Sequence, residues 1–493
     1  FEAISYCWES DVRDQEVVVD NIKVAILTNL EALLQHLRHL PEAKSGMGFW
    51  IDGLCISQDQ LIEKNHQVRL MKQIYEQAVA VIVWLGPGDF GSDMAIDFIL
   101  QLADIQTEQS YGHLYKQHVV EWLNRDYQTP ALWTALIDLW SRKYFGRMWI
   151  IQELALNSRM EVIEAASDFC MSYAGNLAQI LSDAQQNMEC PSKIIRNDVW
   201  ECAYNINNLV ELRSESTHLN AILNLARKSN VKDPKDKIYG LLGMVLPSLA
   251  QAIVPDYSKT VQEVYIQFAL AVLEKCSHLD EVLVWCAIIY DGALPSWVPD
   301  WNSPFRRYHL RWFRRFCAAG DTSPTWSFTE ELQQLHCKGI LVDIVEATSS
   351  ALSESLPYRE VIKPPTLIEL PARPPDTSNH NAQVGTRSDT LWKELQETLR
   401  RRLGSSKKPH AGLITNAQWN TIRLATVGLA GRRIITTKTG YLGLAPAETR
   451  PGDTVAILYG CRYPVILRPS GNGFKYVGEC YIDGLTHGEA VKG

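Results

Sequence analysis

The chain has 493 residues, 46% of them hydrophobic and 21% charged, a globular balance with room for about three domains of roughly 150 residues. Its net charge of -8 argues against a general nucleic-acid-binding protein, because phosphate binding needs a basic face; the short runs Arg306–Arg315 and Arg400–Arg402 read as solvated helix faces. The 11 cysteines form no CxxC pair and their odd number suits no complete disulfide set, so a reducing, cytoplasmic setting is expected, and no apolar run reaches the ~20 residues of a membrane span. The chain starts at Phe1 with neither Met nor a signal-peptide pattern, so its N-terminus is expected to be trimmed.

Phe1 to Trp8 is partly alternating and reads as a strand ending in the polar loop Glu9-Ser10-Asp11. Val17 to Ile26 is rich in β-branched residues around Asp20-Asn21, which predicts a hairpin. A helix follows, with Leu30, Leu33, Leu34 and Leu37 at helical spacing and Thr28 or Asn29 as its cap. Phe49 to Ile56 is apolar enough for a second, central strand. Ser57-x-x-Gln60 fits a capping box, and the next helix presents Val68, Met71, Ile74, Tyr75 and Ala78 on one face. Ala78 to Leu85 is a continuous apolar run, the pattern of a strand buried on both faces, so the alternation predicts an α/β fold with a parallel sheet.

Gly86-Pro-Gly88-Asp-Phe-Gly91 matches GxGxxG. The polar, helical pattern of Gln101 to Asn124 lacks the second strand and acidic residue that a dinucleotide site requires, so a surface turn is expected. Ser92 to Trp140 reads as a helical excursion.

The stretch Phe145 to Leu156 is an apolar segment carrying one carboxylate, Glu153. As a helix it sets Trp149, Gln152, Glu153 and Leu156 on or beside one face. Such a glutamate either pairs structurally, with Arg147 or Arg142, or sits at a pocket mouth with a shifted pKa. Met160 to Ile163 is the last strand of this region.

Residues 181–362 read as mainly helical, with amphipathic pieces at Thr217–Ala226 and Val261–Leu273. A turn at Asp233–Asp236 leads into an apolar helix Ile238–Met244, and Leu294–Trp301 reads as an extended, proline-interrupted piece. Residues 363–388 form a Pro-rich linker. Residues 389–493 combine a helix near Thr390–Leu403 with a small β-barrel-like module of short strands at Arg433–Thr437, Tyr441–Leu444, Thr454–Leu458, Val465–Arg468 and Tyr476–Tyr481.

Several ordered motifs resemble the fungal heterokaryon-incompatibility (HET) domain family. They are Ile4-Ser5-Tyr6-Cys7-Trp8, Trp50-Ile-Asp52-Gly-Leu-Cys55-Ile-Ser-Gln58, Val83-Trp-Leu-Gly86 and Arg147-Met-Trp149-Ile-Ile-Gln-Glu153. Later segments resemble the large members: Asp233-Pro-Lys-Asp-Lys-Ile-Tyr239, Pro255-Asp-Tyr257, Pro295–Trp301 and Gly478-Glu-Cys-Tyr481. Glu9 replaces a family glycine and Ser57 a family asparagine. The resemblance implies a HET domain over residues 1–180 and a role in nonself recognition ending in growth arrest or cell death. It also implies a TIR-like (flavodoxin-like) sheet. Many TIR domains cleave NAD between nicotinamide and ribose with the glutamate of a Trp-x-x-x-Glu-Leu segment, which Trp149 to Leu154 matches.

On that implication Glu153 is the catalytic candidate, and Tyr6, Trp8, Asp52 and Trp149 are candidates for substrate binding. Each has a plain alternative: an ion pair for Glu153, core packing for Tyr6 and Trp8, a loop cap for Asp52. Cys55 with His66 reads as an inert buried thiol rather than a nucleophile pair, and the histidines show no metal-ligand spacing. No cofactor is expected; NAD would be a substrate. Three readings stand: an NAD-cleaving signalling enzyme, a non-enzymatic adaptor that self-associates or binds a protein partner, and a family member without death activity.

Overall fold

The computed structural model describes residues 1–8, 12–97, 99, 130–157, 160–163, 219–276, 278–286, 294–303, 316–329, 331, 333–349, 351 and 431–491. The linker 363–388, the helix expected near Thr390–Leu403 and both basic runs lie outside the described residues, as does most of the excursion after Ser92. The chain divides into two compact units, Phe1–Thr260 and Val261–Gly493.

In the first unit, β1 (Glu2–Tyr6) is buried throughout. A separate hairpin pairs β2 (Gln15–Val19) with β3 (Ile22–Ile26). Its two-residue turn takes Asp20 to φ 50 and Asn21 to φ 66, the double left-handed conformation whose twist suits tight hairpins. The sheet adds β4 (Phe49–Trp50), β5 (Val81–Trp84) and β6 (Met160–Ile163) in the order β4-β1-β5-β6, all parallel. β5 is buried at every position, as its unbroken apolar run predicts. One face of the sheet presents Ile4, Tyr6, Ile82 and Trp84 to the helix Thr28–Leu37. The other presents Ala3 and Val81 to Met71 and Tyr75 of the helix Leu61–Gln77.

Several local expectations are corrected. The strand expected over Phe49–Ile56 stops at Trp50 and lies at the sheet edge, and Asp52 opens a helical turn, Asp52–Cys55. An acidic residue suits a helix N-terminus, and Gly53 lets that turn press onto β1, since a Cβ there would lie 2.4 Å from the Tyr6 hydroxyl. Neither expected helix cap forms. Leu27 precedes the first helix, and Thr28 instead donates to Asp14 at 2.7 Å. Asn29 accepts from the Trp84 indole at 2.8 Å and donates to the Cys7 carbonyl at 2.6 Å, tying the ends of β1 and β5 together. Gln60, not Ser57, precedes the helix Leu61–Gln77, while the Glu63 carboxylate accepts from the Ser57 amide at 3.0 Å. The GxGxxG stretch is a turn: Gly86 has φ 104, and Asp89 and Ser92 bond reciprocally where the next helical residues begin. Cys55 is exposed rather than buried.

Past β6 the first unit resumes with the helix Leu219–Lys228 and a short helix, Asp236–Tyr239. The helix expected over Ile238–Met244 thus ends early and gives way to turns. Lys237 is buried and donates its ammonium to the carbonyls of Ala226, Arg227 and Ser229. A cation on the last carbonyls of a helix meets both their unpaired lone pairs and the helix dipole.

The second unit begins with the helix Val261–Lys275 and the turn Asp280–Leu283. Leu294–Trp301 is not extended: Val298 donates to the Pro295 carbonyl at 2.9 Å, closing a turn. A small hairpin joins β7 (Trp326–Phe328) to β8 (Leu335–Cys337). The main sheet contains β9 (Gly339–Thr348), β10 (Arg432–Thr437), β11 (Leu442–Pro446), β12 (Thr454–Leu458), β13 (Val465–Ser470), β14 (Gly473–Glu479) and β15 (Tyr481–Ile482). Its order is β14-β13-β12-β9-β10-β11-β15, with every pairing antiparallel. β9 comes from residues that read as helical in the sequence, yet it sits at the centre of this sheet. The core is Val345, Ile435, Val455, Ile457, Ile466 and Val477 with their neighbours, and Arg432 pairs inside it with Glu479.

Candidate functional site

Counted along the chain, the parallel strands run second-first-third-fourth across the sheet. The order reverses beside β1, and open α/β sheets bind ligands outside the strands' carboxyl ends at such a point. A polar cluster occupies that end. β1 delivers Ser5 and Tyr6, followed by Cys7 and Trp8. The turn after β4 delivers Asp52. A 3-10 turn, Lys143–Gly146, and the helix Ile150–Ala155 deliver Tyr144, Arg147 and Glu153.

Glu153 is 1% exposed. It accepts a hydrogen bond from Ser5, whose hydroxyl lies 2.6 Å from that of Tyr144. With the Ser5 proton given to Glu153, the Tyr144 hydroxyl donates to Ser5, making a two-step chain into the carboxylate. Arg147 lies 3.5 Å from the same carboxylate. The Trp8 indole donates to Asp52 at 3.4 Å. The Tyr6 hydroxyl faces Asp52 but is buried without closing a hydrogen bond of good geometry.

Arg147 thus pairs with Glu153, and its charge also acts on Asp52. Burial pushes the Glu153 carboxyl up, against the pull of Arg147 and the Ser5 bond. Burial likewise raises Asp52, against Arg147 and the Trp8 bond. Burial alone would lower Arg147, but Glu153 and Asp52 together outweigh it and hold the guanidinium charged. Tyr6, Tyr75 and Tyr144 are all raised by burial beside these carboxylates and stay protonated as donors.

Glu153, Asp52, Tyr6 and Trp8 therefore meet around Arg147. Trp149 stands apart: its ring joins the group around Trp50, Met71 and Tyr75. Arg142, the other sequence candidate for pairing Glu153, bonds the Leu85 and Pro87 carbonyls instead. Sequence reasoning missed Ser5 and Tyr144. A hydroxyl near the end of an otherwise apolar strand was the available signal for Ser5; nothing marked Tyr144. Among the described residues no group of His, Cys, Asp and Glu is placed to hold a metal ion, and no helix is long and apolar enough to cross a membrane.

The profile of the heterokaryon incompatibility protein (HET) family matches residues 1–153, ending on Glu153 itself, and that of the Het-6 beta-barrel domain matches residues 405–492. The chain thus carries a heterokaryon-incompatibility domain over residues 1–153 and a Het-6 beta-barrel domain over residues 405–492. It is similar over nearly its whole length to "Heterokaryon incompatibility protein 6, OR allele" of Neurospora crassa, with 24% identity over 623 aligned residues, covering 99% of this chain and 89% of the relative. No solved structure matches. β9 lies outside the stretch matched as the Het-6 beta-barrel domain, so the sheet recruits a strand from before it.

Proposed function

We propose that this chain is a fungal nonself-recognition protein that signals growth arrest or cell death, and that its HET domain, TIR-like in architecture, does so by cleaving NAD at the nicotinamide–ribose bond. One observation carries the chemical part: the buried Glu153 pairs with Arg147 at the carboxyl end of β1, and a second, half-buried carboxylate, Asp52, feels the same guanidinium. A second carboxylate beside a buried ion pair is an unfavourable way to hold a fold together, and such clusters concentrate at functional sites.

Loss of nicotinamide leaves positive charge on the ribose. Glu153 as an anion would stabilise that charge, and a water-poor surrounding strengthens the effect. Tyr144 and Ser5 hold the carboxylate in one orientation, and Arg147 works against its protonation. Asp52 and the Tyr6 hydroxyl would meet ribose hydroxyls, with Trp8 against a ring. The adaptor reading draws support from a different fact: Glu153 is 1% exposed, so the described conformation is closed to any substrate.

The test incubates the purified full chain with NAD across a range of protein concentrations and quantifies free nicotinamide. The expected result is release by the wild type and a loss of at least about 100-fold in Glu153→Gln. Equal release by both proteins would overturn the role of Glu153. No release from a protein that still arrests growth when expressed in fungal cells would establish the adaptor reading.

A further inference from the structure

The helix that carries Glu153 has six residues, Ile150–Ala155, too few to hold its position without tertiary support. Part of its support comes from residues 226–257, all beyond the stretch matched as the HET domain. The Met148 amide donates to the Asn230 carbonyl at 3.1 Å, and the Gln152 side chain donates to the Tyr239 carbonyl at 3.3 Å. Tyr239 ends the short helix that Asp236 begins. The Asp236 carboxyl accepts from the Tyr257 hydroxyl at 2.5 Å.

Tyr257 is held in turn by the helix Leu61–Gln77. Its amide donates to the Asn65 side chain at 2.9 Å, and the Lys64 ammonium lies 3.9 Å from its ring centroid. Tyr257 also stands three residues before Thr260, where the first compact unit ends. Chain leaving that unit therefore starts from the residue that closes on Asp236.

We propose that residues 226–257 form a latch that keeps the Glu153 helix shut over the polar cluster, with Asp236 as the positioning residue that ties Tyr257 to the short helix whose Tyr239 carbonyl holds Gln152. Releasing the Tyr257–Asp236 bond loosens that hold on Gln152 and opens Glu153 and Cys7 to solvent. A pull or rotation at the end of the unit reaches the cluster through this link. The latch governs access and holds whether or not the cluster cleaves NAD.

The experiment compares full-length wild type, Asp236→Ala, Asp236→Asn and Tyr257→Phe. Amide hydrogen exchange is followed in peptides spanning 148–157, and alkylation of the buried thiol Cys7 is followed by mass spectrometry. Asp236→Ala is expected to speed both by about 10-fold or more, as local opening does, while β5 and β12 keep their protection. Asp236→Asn keeps an acceptor oxygen for the Tyr257 hydroxyl and is expected to restore wild-type rates. Tyr257→Phe, the milder change, is expected to fall between. Unchanged rates in Tyr257→Phe and Asp236→Ala would overturn the latch. So would equal loss of protection throughout the unit, or an Asn variant that behaves like Ala.

Discussion

Removing Arg147 tests the electrostatic account of the cluster most directly. In Arg147→Met the side chain keeps much of its apolar bulk but leaves Asp52 and Glu153 without their cation. The Arg147–Glu153 separation of 3.5 Å gives a gross attraction of about 5 kcal/mol at an effective dielectric constant of about 20. Stripping one partner from a buried pair costs about 3–5 kcal/mol when the other stays charged. Here the partners have an escape, because burial has already raised both carboxyls and proton uptake can neutralise them. A carboxyl with a raised folded pKa gives stability that is full at low pH and is lost as pH rises through the folded value. Without Arg147 that value climbs further, so the loss should approach about 3–5 kcal/mol at pH 8 and shrink to about half or less at pH 5.

Hydrogen exchange of the β1 and β5 peptides in increasing urea reads this local stability without assuming that the two units unfold together. Adding Glu153→Gln to Arg147→Met should recover part of the loss, since one uncompensated charge is then gone. A loss under about 1 kcal/mol at pH 8, or the same loss at both pH values, would refute the claim that this one guanidinium balances both Glu153 and Asp52.

Two further tests concern other parts of the first unit. Burial pushes Asp236 from 3.8 up to about 6, against the Tyr257 bond and Lys64, so wild-type stability should fall by about 1 kcal/mol from pH 5 to pH 7, a fall that Asp236→Asn abolishes in denaturation curves. Asn21→Val places a β-branched residue at φ 66 in the hairpin turn and should cost about 1–3 kcal/mol locally, seen as faster exchange in residues 15–26 with the parallel sheet unaffected.

Elements whose pattern leaves one physical solution were readable in the sequence. The run that becomes β5 is apolar at every position because both of its faces are covered, and Asp20-Asn21 sits between two β-branched runs that can only pair. The strands of the C-terminal sheet announced themselves through turns such as Ser470–Gly473. Legibility failed where a distant partner decides the outcome. Phe49 to Ile56 has strand composition, but the close approach of Gly53 to Tyr6 bends it into a helical turn and puts Asp52 at the sheet's carboxyl edge. β9 is half exposed along much of its length, so no continuous apolar run marks a strand whose neighbours, β10 and β12, lie about a hundred residues away in sequence. At the site, Glu153 could be picked out as a carboxylate in an apolar helix, but its partners Ser5 and Tyr144 are separated from it by 148 residues in one case and meet each other across 139. Trp149 stands directly before the helix of Glu153, yet its ring packs against Met71 and Tyr75, on a face that a sequence pattern alone does not assign.

Closure and protonation at this site are one variable. In the closed form burial raises Glu153 toward its neutral state, which cannot stabilise a developing cation, and the same burial denies access. Moving the helix toward water removes the desolvation that opposes ionisation, so the motion that admits a substrate also delivers the anion. Arg147 carries the second half of this argument. With only one guanidinium between Asp52 and Glu153, whichever carboxyl leaves its influence must be met by solvent or by positive charge on a ligand. On the proposed reading, a departing-nicotinamide transition state would supply such charge at a ribose held by Asp52 and Tyr6. A shortage of buried cations would therefore turn a structural weakness of the closed domain into a preference for a cationic transition state, while a neutral or anionic ligand at the same place would leave the deficit unmet.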